Sequence, residues 1–161
     1  MSPSRNPPAG SGETVSAPLL DGVREPRDVK RIARTELPRL CAEVRAFLLD
    51  SVQRTGGHLG SNLGTVEITT ALHYVFDFRR DRLVFDVSHQ CYTHKLLTGR
   101  RAGFERLRQT DGLCGFTNPS ESEYDLFHTG HAGTAISLGL GLALASQHEP
   151  SPPHVPRCRS R

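Results

Sequence analysis

The stretch "LVFDVSHQCYTHK", residues 83 to 95, decides how this chain is read. Leu83 to Val87 are apolar except for Asp86, the pattern of a strand buried in a parallel sheet. His89 follows at once, and ligands of open α/β sheets gather just beyond the carboxyl ends of strands. Two readings fit: a strand with a working site at its end, or a strand closed by a capping histidine.

Working outward, the neighbouring segments read as helices. Val66, Ile68, Ala71, Leu72, Val75 and Phe76 recur at helical steps. From Asp28 to Arg54, Ile32, Leu37, Leu40, Val44, Phe47 and Leu48 do the same, with Pro38 in the first turn of the longer helix or dividing the segment. "TGGHLGSNLG", residues 55 to 64, lies between these helices; its four glycines stop the first and allow close approach of a ligand. After the strand, "YTHKLLTG" and "GFERLRQT" predict two short helices. Residues 111 to 131 have no period, and a loop of that length is functional or disordered. "AGTAISLGLGLALASQ" is rich in small residues and predicts a helix buried on nearly all sides.

The ends differ in composition. Residues 1 to 17 are dominated by Pro, Gly and Ser and predict a disordered leader. Residues 148 to 161 predict a disordered Pro/Arg-rich tail, since four prolines between 150 and 156 oppose a central strand or helix. The fold is expected in 18 to 147, as an α/β domain, helix-rich, with an incomplete parallel sheet.

Totals exclude several classes. The charge is +3, from 20 Lys and Arg against 17 Asp and Glu, and the basic residues are not interleaved with aromatics, so no nucleic-acid partner is expected. No stretch approaches a membrane span. Cys41, Cys91, Cys114 and Cys158 lack metal-like spacing and form no disulfide pattern, which suggests a reducing, cytoplasmic setting. Ser and Pro richness at the start is shared with transit peptides, but Glu13 and the lack of an Arg-rich amphipathic pattern argue against one.

Three stretches could carry chemistry. His58 stands among glycines, which also fits a plain Gly-rich turn. His89 follows the strand. Gly130 and His131 precede the small-residue helix, whose N-terminus would offer free N–H groups and a positive dipole end to a phosphate. An ordinary Thr/Gly helix start fits there too. "SESEYD" reads as a solvated acidic turn, His73 as a helix-face residue and Cys91 as an inert thiol.

"TGGHLGSNLGTVEITTALHYVFD", "RLVFDVSHQCYTHKLLTGRR" and "LRQTDGLCGFTNPSESEYDLFHTGHAGTAISLGLGLA" together resemble the amino-terminal part of the 1-deoxy-D-xylulose-5-phosphate synthases, within the transketolase-like superfamily. The resemblance runs from about Leu19 to Ser146. It implies part of a thiamine-diphosphate-binding domain that works with Mg²⁺. The family's substrates are pyruvate and D-glyceraldehyde 3-phosphate, joined with loss of CO₂ to make an isoprenoid precursor. It implies His58 as the catalytic histidine, and His89, Gly130, His131 and Ala132 as cofactor contacts. Departures are Ser88 for the family's Gly, Thr93 for its Pro, and "GHAGTAIS" for "GHSSTSIS". The Gly-Asp-Gly strand and following Asn that hold Mg²⁺ in the family have no counterpart here, so no metal ligand is assigned. The expectation is a truncated or frame-shifted synthase, inactive alone. A piece of a split enzyme completed by another polypeptide, a homodimer, and a non-catalytic interaction module remain open.

Overall fold

The structure, a computed structural model, describes residues 17 to 158. Most of the leader predicted over 1 to 17 lies outside them, as do the last three residues of the tail.

The described residues form six α-helices and two short strands: α1 (Pro26–Val29), α2 (Leu37–Thr55), α3 (Leu59–Leu63), α4 (Val66–Val75), β1 (Val84–Phe85), α5 (Tyr92–Leu97), α6 (Thr134–Ser146) and β2 (Arg157–Cys158). Three 3₁₀ turns, Leu19–Gly22, Arg34–Glu36 and Arg101–Arg106, link them. The helix-rich α/β class is as expected, and its sheet is a single parallel pair, Val84 to Arg157 and Phe85 to Cys158.

α2 organises the core. Pro38 sits in its first turn, where a missing N–H costs nothing. Leu40, Val44, Leu48 and Val52 repeat every four residues and form one buried stripe. That stripe packs with Val66, Leu96, Leu97 and Phe104 into the main cluster. Each such side chain contributes about 1.5–3 kcal/mol by leaving water. Gly56, at φ 77, stops α2 where its N–H closes on the Val52 carbonyl, and delivers His58 to the next turn.

Four expectations need correcting. The strand predicted over "LVFDV" pairs only at Val84 and Phe85, because Val87 and Ser88 take left-handed φ values of 63° and 71° and turn the chain away. "GFERLRQT" is a 3₁₀ turn followed by a reversal, in which Arg108 N–H bonds the Leu113 carbonyl and Gly112 packs on the Arg106 carbonyl. The helix predicted to be buried is not: α6 touches β1 and β2, buries Ala135 and Ser146, and leaves Ile136, Leu140 and Leu144 more than half exposed. In the tail, Arg157 and Cys158 form β2. Pro150, Pro152 and Pro153 stop short of the ladder, while the Pro156 carbonyl accepts the Val84 N–H.

Among the described residues, no helix is long and apolar enough to cross a membrane.

Candidate active site

His58 and His89 come together. His58 caps the start of α3, and His89 lies in the turn between β1 and α5. Their ring centroids are 5.4 Å apart, edge to face. Phe116, from the long loop, stands 5.6 Å from the His58 ring, and Tyr92 stands 6.5 Å from it. His58 Nδ1 is buried and has no hydrogen-bond partner among the described residues. Burial, the Arg108 guanidinium and His89 all push the His58 pKa below its ordinary value. At neutral pH the imidazole is therefore uncharged and able to take up a proton.

The loops that bear these histidines are held from beneath. Asn62 is fully buried; its Nδ2 donates to the carbonyls of His58 at 2.6 Å and His89 at 2.8 Å, and its Oδ1 accepts from Tyr92 N–H at 2.8 Å. The Tyr92 hydroxyl in turn accepts from His58 N–H at 3.4 Å. Gly57 passes close to that hydroxyl, where a Cβ would sit 2.9 Å away. Sequence reasoning valued "GSNLG" for its glycines and missed the asparagine; a polar residue inside a helical turn beside a candidate histidine was the available signal.

Gly130, His131 and Ala132 lie apart from this pair. All three are exposed, in the turn before α6, beside a cavity of about 390 Å³ lined with Phe127, Thr129, Thr134 and Ser137. The two regions connect where the turn after β1 meets Thr129: Ser88, next to His89, donates its hydroxyl to the carbonyl of Thr129, next to Gly130, at 3.2 Å, and the Thr129 hydroxyl bonds the Val87 carbonyl at 3.4 Å. The start of α6 is not the open anion seat expected. Asp86 Oδ1 accepts from Gly133 N–H at 2.8 Å and from Ala135 N–H at 3.4 Å. A carboxylate at a helix N-terminus satisfies the same donors and dipole a phosphate would. Among the described residues, no three His, Cys, Asp or Glu side chains gather as a metal would require.

The long loop is ordered by a buried polar cluster, so "SESEYD" is no solvated turn. Asp125, almost wholly buried, takes both arms of Arg100 at 2.7 and 2.8 Å and the Asn118 N–H at 2.7 Å. Fully buried Lys95 meets Glu121 at 2.5 Å, and Glu121 also accepts the Cys114 N–H. His94 Nε2 stands 3.2 Å from Asp125, off the N–H axis, and His94 Nδ1 stands 3.0 Å from His73 Nε2. Burial raises the Asp125 carboxyl, but the two hydrogen bonds and the charge of Arg100, with the His94 ring close by, outweigh it and hold the group well below its usual range. Desolvation lowers His94, and lowers His73 further, so both are neutral rather than helix-face charges. These contacts bring Phe116 to His58 and Thr129 to Ser88. Burial also pushes the Cys91 thiol up to about 12, leaving it inert.

A family model described as 1-deoxy-D-xylulose-5-phosphate synthase matches residues 20 to 155. The chain belongs to that family. Relatives carrying that name are 60% identical over 131 residues in Thiobacillus denitrificans and 57% over 138 residues in Leptothrix cholodnii. These matches cover 81% and 86% of this chain, and 21% and 22% of those proteins. A relative in Dechloromonas aromatica is 56% identical over 131 residues, 81% of this chain and 21% of that protein. The chain thus spans about a fifth of the length of the curated relatives it matches. The family match stops short of β2.

Proposed function

We propose that residues 18 to 147 form the histidine-bearing wall of a thiamine diphosphate site, and that the complete synthase to which this wall corresponds joins pyruvate to D-glyceraldehyde 3-phosphate in the cytoplasm. The observation that carries the reading is the buried, unpartnered His58 Nδ1 beside the His89 ring. An unpaired buried imidazole nitrogen is costly unless something bonds it. Thiamine diphosphate supplies an electron sink for the carbanion left when pyruvate loses CO₂. His58 would move a proton, in keeping with its neutral state. His89 would orient the cofactor, and the exposed backbone of Gly130 to Ala132 with the His131 ring would face its diphosphate.

The metal half of such a site does not fit these residues. With the N–H groups of Gly133 and Ala135 engaged by Asp86, and no group of His, Cys, Asp or Glu side chains fit for Mg²⁺ among the described residues, the diphosphate lacks an anchor there. We infer that these 161 residues alone neither hold the cofactor tightly nor turn over substrate. The exposed Ile136, Leu140 and Leu144 favour completion by further polypeptide covering α6 over a self-sufficient module. Calorimetric titration with thiamine diphosphate and Mg²⁺ tests the reading: weak or absent binding is expected, and micromolar affinity of the chain alone overturns it.

A further inference from the structure

We propose that Asn62 is a positioning residue that fixes the spacing of His58 and His89 by bonding the backbones of both histidine-bearing loops at once. A carboxamide has two donor hydrogens and one acceptor oxygen. Both hydrogens are spent, one on each histidine carbonyl, and the oxygen is spent on Tyr92 N–H. The bond from His58 N–H to the Tyr92 hydroxyl closes the ring. The ring spans three separate pieces of chain: the cap of α3, the turn after β1 and the first residue of α5. Neither histidine side chain takes part in these bonds.

No other side chain replaces it at that site. Aspartate loses both donors and sets its oxygens against two carbonyls, leucine loses every bond, and glutamine is one methylene too long for a fully buried position. Misplacing a reacting group by about 1 Å costs on the order of a hundredfold in rate. That consequence for turnover rests on the proposed cofactor site; the geometry does not.

Nuclear magnetic resonance on the 161-residue chain, without cofactor, tests the proposal. The unmodified chain is expected to show a through-space contact between the His58 and His89 rings. Its Asn62 side-chain amide protons are expected to exchange at least about fivefold slower than those of an exposed asparagine, the factor to which about 1 kcal/mol per hydrogen bond converts. In Asn62→Ala the ring contact is lost and the His58 titration midpoint moves up towards its ordinary value, because burial, the Arg108 guanidinium and His89, which together depress it, all act only while the ring is held in place. A merely structural asparagine would lower the melting temperature and leave both readouts unchanged in the folded chain, which overturns the proposal. Should Asn62→Ala fail to fold, the unmodified chain decides: amide protons exchanging at the solvent rate refute the bonding ring, and slowed exchange with the ring contact supports it. A failed thiamine diphosphate titration leaves this result readable, and failure here leaves the cofactor reading standing.

Discussion

Replacing Asp125 by asparagine removes one negative charge from the centre of the buried cluster. Arg100, with a side chain 10% exposed, loses the carboxylate it grips with both arms, and Lys95, fully buried, loses a charge 3.8 Å away. Breaking a buried pair by removing one partner costs about 3–5 kcal/mol. Glu121 remains, 2.5 Å from Lys95 and 3.5 Å from Arg100, so the lower end applies. A loss of about 3 kcal/mol in a chain of this size lowers the melting temperature by about 6–12 °C. Denaturant unfolding of Asp125→Asn measures it. Asp50→Asn is the internal control, because Asp50 pairs with Arg54 across side chains that are both more than half exposed. Such a surface pair is worth about 0–1 kcal/mol. If Asp125→Asn costs no more than Asp50→Asn, the buried cluster does not anchor the loop that brings Phe116 and Thr129 to the site.

Stability is also expected to fall with acid in a definite window. His73 and His94 are held below their ordinary pKa, so the folded state binds fewer protons than the unfolded one once the pH drops through about 6.5. The depressed Asp125 adds a further loss as the pH passes down through about 4. Urea midpoints at pH 7.5, 6.5 and 5.5 check the histidine part, and a midpoint that rises with acid contradicts it. At Ser88, two effects compete. A left-handed φ of 71° costs a non-glycine about 1–2 kcal/mol, which Ser88→Gly would recover. The same change removes bonds to the Thr129 carbonyl and the buried Thr117 N–H, and leaving a buried donor unsatisfied costs about 1–3 kcal/mol. Glycine's freer unfolded chain adds to the loss. The bonds win, so Ser88→Gly should lower the melting temperature, and a higher one refutes this weighing.

Local signals were legible wherever one periodicity ruled. The four-residue stripe of α2 and its stop at Gly56 follow from side-chain spacing and backbone sterics. The length of β1 did not, since "LVFDV" is apolar enough for five strand residues and only the left-handed Val87 and Ser88 cut it short. "SESEYD" misleads for a different reason: carboxylates read as solvated unless their cations are known to be buried, and Lys95, in α5, and Arg100, just after it, lie more than 20 residues away. Asn62 was hidden likewise, because its three partners lie on two other segments besides its own. The apolar composition of α6 carries no record of what covers it. The pairing of His58 with His89 became visible only through the family resemblance and the fold together; composition marked each singly.

We propose that the described residues carry the histidine wall of a cofactor site but not its metal seat. Calorimetry is the measurement, comparing the chain alone with the chain mixed with a polypeptide that supplies the part of the Thiobacillus denitrificans relative this chain does not match. The account predicts no saturable binding of thiamine diphosphate with Mg²⁺ by the chain alone, binding by the mixture, and its loss from a mixture made with His89→Ala. Micromolar binding by the chain alone, or binding by the mixture that His89→Ala leaves intact, would contradict it.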